Sequence, residues 1–174
     1  MHLTFRHATV DDALLLSEMG SCTYRHHFAH LWRREEELND FIAAEYSVAA
    51  LQQSLSAVGT RWLIAEAERP AGFAKISWRK PVPEQTYTGA LLHKLYLMPG
   101  ETGKGYGEQF WQAILREARA ENERWLWLEV LEANAGARRF YDARGMKMLT
   151  QTIFSSATQQ SVLFVMGKAL DEHA

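Results

Sequence analysis

Three groups of residues in the second half of the chain have types and spacings suited to chemistry. Gly103-Lys104-Gly105-Tyr106-Gly107 follows an apolar strand and opens a helix. Glycine lets the backbone approach a ligand closely. A helix N-terminus presents N–H groups without helical partners, and the positive end of a dipole, to an anion. This placement predicts a phosphate-bearing ligand held by main-chain N–H groups of residues 103–108, including Glu108. Lys104 either adds a charge contact to phosphate or stands as a solvated loop lysine.

Asn134 and Tyr141, seven residues apart on a predicted short helix, share a face and lie roughly 10 Å apart along its axis. Asn134 suits the cap position. The Tyr141 phenol can give a proton to a leaving group; its alternative role is a core tyrosine with its hydroxyl at the surface. Trp125, Trp127, Glu129 and Leu131 alternate onto one strand face. Beside tryptophans, Glu129 would be partly desolvated and its pKa drawn up toward the range of a general base. Its alternative is an ordinary strand glutamate satisfied by a neighbour. His93, on the face of Leu95, is the reserve candidate.

Two familiar nucleotide motifs fail on residues. A phosphate-binding Walker loop needs Ser or Thr after G-K, for magnesium, and Gly105 stands there instead. The dinucleotide fingerprint needs G-x-G-x-x-G near the start of a parallel unit, whereas the spacing here is G-x-G-x-G past mid-chain. His26 and His27 diverge by about 100° on a helix and make no metal pair. No metal is expected.

The elements that must position these groups are legible from periodicity. Residues 3–8 read as a strand, with Thr9 as a cap and Asp11 and Asp12 in the first turn of the helix that follows. Apolar spacing carries that helix from Leu14 to Phe28. A second spans 34–46, and Ser47 caps a third through Leu55, before Gly59. RWLIAEAE and AGFAKISWRK form a hairpin about Arg69-Pro70. The next strand runs Thr88–Met98 and stops at Pro99-Gly100. Tyr106, Phe110, Ile114 and Ala118 mark a helix face. Strand 124–131, helix Asn134–Ala143 and strands Met146–Gln151 and Gln160–Gly167 complete an α+β order with a central strand–helix–strand unit.

The 174 residues, 47% hydrophobic and 23% charged, suit one soluble domain spanning 1–174. A net charge of −2 gives no reason to expect nucleic acid. Cys22 is alone, which fits a reducing compartment. No apolar run reaches membrane-spanning length, and the start does not read as a signal peptide. The expected location is the cytoplasm. The six tryptophans fit an exposed homodimer face as readily as a core.

The stretch from Arg61 to Lys168, and Leu91–Gly145 above all, resembles the GCN5-related N-acetyltransferase (GNAT) superfamily. Thr102-Gly103-Lys104-Gly105-Tyr106-Gly107 is similar to the end of its Q/R-x-x-G-x-G/A coenzyme loop, with Thr102 where Gln or Arg is usual. Glu129 through Asn134, Phe140-Tyr141 and Gly145 are similar to its second coenzyme motif. TYRHHF, followed by an acidic helix, is similar to bacterial polyamine N-acetyltransferases.

The resemblance implies a mostly antiparallel twisted sheet flanked by helices, with a splay between the two central strands. It implies acetyl-CoA as co-substrate. Leu95, Tyr96 and Leu97 would bond the pantetheine amides as an added strand does, and an N–H near Leu97 would steady the oxyanion. Asn134 would bond the coenzyme arm. The expected reaction is acetyl transfer to a primary amine of a small, polyamine-like acceptor. Tyr24, His26, His27, Phe28, Trp32 and Glu35-Glu36-Glu37 would set acceptor choice. The alternatives are a protein N-terminal or lysine acetyltransferase and a non-catalytic acetyl-CoA sensor.

Overall fold

The computed structural model describes residues 2–170. These fall into two compact units. One runs to Lys75 and resumes over Lys94–Ile114; the other comprises Ile76–His93 and the chain from Leu115 onward.

The first unit holds strands β1 (Thr4–His7) and β2 (Thr60–Glu66), helices α1 (Ala13–Phe28), α2 (Glu35–Tyr46) and α3 (Val48–Ser56), and parts of β3 (Pro70–Pro81) and β4 (Thr88–Leu97). Its strand order is β1-β2-β3-β4. β1 and β2 pair antiparallel from Thr4↔Glu66 to His7↔Leu63. Trp62 to Ala65 of β2 are all buried, the pattern of a strand covered on both faces. Leu16, Leu51, Trp62, Ile64 and Phe73 form the centre of the core. Ser47 caps α3 as expected, its Oγ accepting from the Ala50 N–H at 3.2 Å. A short 3₁₀ turn over Val10–Asp12 precedes α1, so the predicted first helical turn is tighter than an α-turn.

The second unit has the order β3-β4-β5-β7-β6, with β5 Trp125–Leu131, β6 Lys147–Ser155 and β7 Gln160–Ala169, and with helix α5 over Ala135–Ala143. β5 pairs β7, and β7 pairs β6, antiparallel. β6 is longer than expected. Its hairpin partner carries the ladder out to Ser155↔Gln160, and pairing overrides the polar composition that suggested an earlier stop.

Among the described residues, the parallel ladder between β4 and β5 spans only Ala90↔Leu126 and Leu91↔Trp127. A Cβ on Gly89 would sit 2.7 Å from the Trp125 carbonyl oxygen, so glycine permits the close approach at that end. Both strands continue beyond the last paired residues. The sheet is otherwise mostly antiparallel and seven-stranded.

Helix α4 (Tyr106–Ala120) buries the predicted stripe of Tyr106, Phe110, Ile114 and Ala118. Trp62, Trp78, Trp111 and Trp127 are buried, and Trp32 and Trp125 half-buried.

Candidate active site

In the first unit, Leu95, Tyr96 and Leu97 close β4 as half-buried residues. The Tyr96 ring lies edge-on to Phe28 at 5.8 Å and to Phe73 at 5.6 Å. That side chain serves the core and leaves its main chain as the group able to meet a ligand. The following loop is built around Glu101, a buried carboxylate. It accepts from Lys104 Nζ at 3.1 Å and from Arg69 at 2.9 and 3.0 Å. The Lys104 hydrogen bond, then that of Arg69, holds the Glu101 carboxyl below the usual range.

Lys104 thus has an ion-pair partner in its own loop, with its ammonium 5.8 Å from the Tyr106 ring. Gly103 and Gly105 have φ of 78° and 77°, and an added Cβ would meet nothing within 4 Å. Backbone conformation demands these glycines, and the space over the loop is open. Tyr106 buries its ring at 1% exposure, so only its main chain can face a ligand. Gly107 is half-buried; Glu108 is exposed and accepts from Gln112 at 2.9 Å. With its basic side chain engaged, the loop from 103 to 108 offers an anion main-chain N–H groups at the start of α4.

The helical half of this unit gathers aromatic rings. Tyr24 packs on Phe28 at 4.8 Å and Phe41 at 4.9 Å, and Trp32 Nε1 donates to its hydroxyl at 3.2 Å. His27 places Nε2 3.5 Å from the Leu97 carbonyl oxygen, and burial pushes its pKa down. Glu35, Glu36 and Glu37 form the first turn of α2, where carboxylates favour the helix dipole. His26 and His27 stand edge to face at 5.0 Å. Among the described residues no cluster of three or more His, Cys, Asp or Glu is placed to hold a metal ion.

In the second unit, Asn134 caps α5, its Oδ1 accepting from the Ala137 N–H at 3.2 Å. Tyr141, half-buried on the same helix, lies edge-on to Phe140 at 5.4 Å. Burial pushes its hydroxyl pKa well up. The phenol keeps its proton at neutral pH. Phe140 is half-buried beneath the Arg144 guanidinium, which sits 3.6 Å from its ring centroid.

Glu129 departs from its expected surroundings. It is exposed, and Thr152 Oγ1 donates to its carboxylate at 2.7 Å. The tryptophans are occupied elsewhere: Trp127 packs with Val82 and Val165 and donates to the Lys80 carbonyl at 3.2 Å, and Trp125 stacks on Tyr87 at 4.3 Å. His93 is also exposed, with Nε2 2.8 Å from Ser77 Oγ.

Residues 22–146 match the acetyltransferase (GNAT) family. The chain belongs to that family. A curated relative, an uncharacterized N-acetyltransferase in the pepI 3′ region of Lactobacillus delbrueckii subsp. lactis, is 27% identical over 101 residues. That alignment takes in 58% of this chain and 58% of the relative's own length.

Among solved structures, the PaiA N-acetyltransferase of Thermoplasma acidophilum in complex with coenzyme A has a TM-score of 0.76 at 21% identity, covering 97% of this chain and 99% of that one. The spermidine/spermine N-acetyltransferase SpeG of Vibrio cholerae, solved in mutant forms, has a TM-score of 0.68 at 14% identity, covering 97% and 95%. At these identities the likeness is one of GNAT fold. The match begins inside α1, well before the Arg61 at which the resemblance was legible.

Glu101, Arg69, Ser77 and Thr152 were not singled out from the sequence. Only Glu101 gave a signal, an acid three residues before Lys104 in a loop. The others act across strands, where spacing along the chain says nothing.

Proposed function

We propose that residues 1–174 act as one cytoplasmic, acetyl-CoA-dependent N-acetyltransferase domain that acetylates a primary amine of a small acceptor. The observation that carries this reading is the glycine loop. In a GNAT chain it keeps its lysine on Glu101 and offers main-chain N–H groups to a pyrophosphate. The fold neighbour solved with coenzyme A supports the same ligand.

Main-chain groups of Leu95–Leu97 would take the pantetheine amides, with Asn134 bonding the coenzyme arm. The acceptor arrives as ammonium and loses one proton to a base; Glu129 is the first candidate and His93 the reserve. The amine nitrogen then bonds the thioester carbonyl carbon, giving a tetrahedral oxyanion. As the C–S bond breaks, the thiolate takes the Tyr141 proton. The second proton of the nitrogen, released as the amide forms, returns to the phenolate. An amide, free coenzyme A thiol and one proton result.

The acceptor we favour is polyamine-like. The aromatic cluster of Tyr24, Phe28 and Trp32 and the acidic start of α2 suit a cationic amine, and a fold neighbour is a spermidine/spermine N-acetyltransferase. The test is calorimetric titration with acetyl-CoA, then a thiol-release screen of spermidine, spermine and lysine-like amines. Uptake of acetyl-CoA with turnover of at least one of these amines is expected. Lack of coenzyme binding would end the reading, and turnover only with peptides would replace the acceptor.

A further inference from the structure

Each unit contributes one edge strand to the sheet order, and the two are of opposite kind. β1 is four residues long, and its Arg6 is ion-paired with Asp12 and Glu66 at 2.8 Å each. Shortness and charge blunt an edge strand, whose free N–H and C=O groups otherwise invite another chain to pair. β6 has nine residues, and the stretch Met148–Ser156 carries neither charge nor proline. Its bulge lies at the start, between Met148 and Thr150. Met148 and Ile153 are 49% and 57% exposed.

Successive residues of an antiparallel strand turn their main-chain groups to alternate sides. The Val162 carbonyl accepts from the Glu132 N–H at 2.9 Å, on the side of β5. The main-chain groups of Leu163 therefore face β6, where its partner is Thr152. Just past β6, the Ser156 N–H donates to the Gln159 carbonyl at 2.8 Å, in the same phase. Thr150, Thr152 and Phe154 thus spend their N–H and C=O groups on β7. Those of Gln151, Ile153 and Ser155 point off the edge.

We propose that this edge is the contact between two copies of the chain, their β6 strands paired antiparallel about a two-fold axis at Ile153. With that axis Gln151 meets Ser155 of the second copy, and Ile153 meets Ile153 of the second copy. All the outward main-chain groups are then used. An axis at Gln151 sets Ile153 against the bulged Leu149, and one at Thr152 sets Ser155 there. Charge selects the occupant. The stretch offers nothing for an acidic or basic partner to complement. In self-pairing Lys147 falls outside the ladder, so no like charges oppose one another.

The second copy also reaches the candidate site. Leu131, Leu163 and Thr152 are matched across β5, β7 and β6. Thr152 therefore shares the face of Glu129, to which its hydroxyl donates at 2.7 Å. In the dimer Thr152 stands opposite Phe154 of the second copy. That pair exchanges no main-chain hydrogen bonds, the arrangement in which side chains come closest. The added ring shields the tether of Glu129 from water. The dimer does not depend on the acetyltransfer reading above; the effect of this ring on turnover does.

Sedimentation velocity of the whole chain over a range of concentrations should show a monomer–dimer equilibrium. Ile153→Lys, at an exposed position, sets two ammonium groups together at the axis and should abolish it. Register is read by cysteine cross-linking in Cys22→Ser, which removes the exposed native thiol. A hydrogen-bonded antiparallel pair holds its Cα atoms about 5.5 Å apart, within disulfide reach. Ile153→Cys should oxidise to a covalent dimer. Gln151→Cys, opposite Ser155, should not. Val58→Cys, fully exposed in the first unit, controls for collision. Spermidine turnover per chain should fall several-fold on dilution through the dimer range.

A wild type that stays monomeric at every concentration overturns the proposal and leaves the edge to a different chain. A dimer that survives Ile153→Lys uses another face and overturns it too. If Ile153→Cys cross-links no faster than Val58→Cys, the register is wrong. Turnover unchanged on dilution removes Phe154 of the second copy from the site. If no amine is turned over, the acetyltransfer reading fails, while sedimentation and cross-linking still decide the dimer.

Discussion

In the loop from Met98 to Tyr106 the charged side chains engage one another, whereas along α5 the polar groups are set by the helix and by burial. Lys104 and Arg69 converge on buried Glu101. The main chain of the loop is shaped by two glycines with positive φ. On α5, Asn134 serves its own helix terminus, and desolvation pushes the pKa of the Tyr141 hydroxyl up. The contrast separates binding from chemistry. The loop should govern how tightly a coenzyme is held, and α5 how fast the transfer runs.

The sharpest break in that comparison comes from Tyr141→Phe. Removing one hydroxyl takes the proton donor but keeps the ring and its edge contact with Phe140. Turnover should fall by about 100-fold, in the range that general acid catalysis supplies. Acetyl-CoA affinity, measured by calorimetry, should not change. Equal turnover would remove Tyr141 from the mechanism, and equal loss of affinity would make it a binding residue.

Gly105→Ala tests the other side. An L-residue in the left-handed region costs roughly 1–2 kcal/mol, and nothing near the position would compensate. The coenzyme dissociation constant should rise by about tenfold, an amount of the same order, with turnover at saturating coenzyme retained. A rise in KM for the amine instead would mean that the loop shapes the acceptor side.

Periodicity made most of the fold legible because the elements are locally consistent. Tyr106, Phe110, Ile114 and Ala118 bury as one stripe, and Ser47 and Asn134 both cap where composition placed them. The failures have a common cause. Lys104 was read as a phosphate contact or a solvated loop lysine, and its ion pair was missed because its partner Glu101 looked like any loop acid. Glu129 was read beside tryptophans because strand alternation gives the face but not which neighbours occupy it. Trp127 goes to Val82 and Val165, and Thr152 reaches Glu129 from a strand not adjacent to β5 in the order β5-β7-β6. Contacts across strands depend on register, which spacing along the chain does not encode.

Asn134→Ala asks whether the cap is only a cap. Loss of a side-chain acceptor at this position costs about 1 kcal/mol, to be read as a lower urea midpoint with unchanged slope. If that is the whole of its role, coenzyme affinity stays as in the wild type. A loss of affinity together with the stability change would assign the amide to the coenzyme arm as well.

The smallest effect expected is that of Lys104→Ala on coenzyme binding. Its ammonium is directed at Glu101, so affinity should fall far less than in Gly105→Ala. Its signature is pH dependence instead. A carboxyl held below its ordinary pKa in the folded state adds stability that is present above the unfolded value and lost as pH falls through the lowered folded one. Lys104 is the larger of the two causes of that lowering at Glu101. Wild type and Lys104→Ala should therefore differ in urea stability at neutral pH and converge on acidification, as Glu101 is protonated in both. A difference that persists unchanged into acid would show that Lys104 acts through its packing on Tyr106. A large loss of coenzyme affinity at neutral pH would restore Lys104 to the phosphates and erase the contrast between loop and helix.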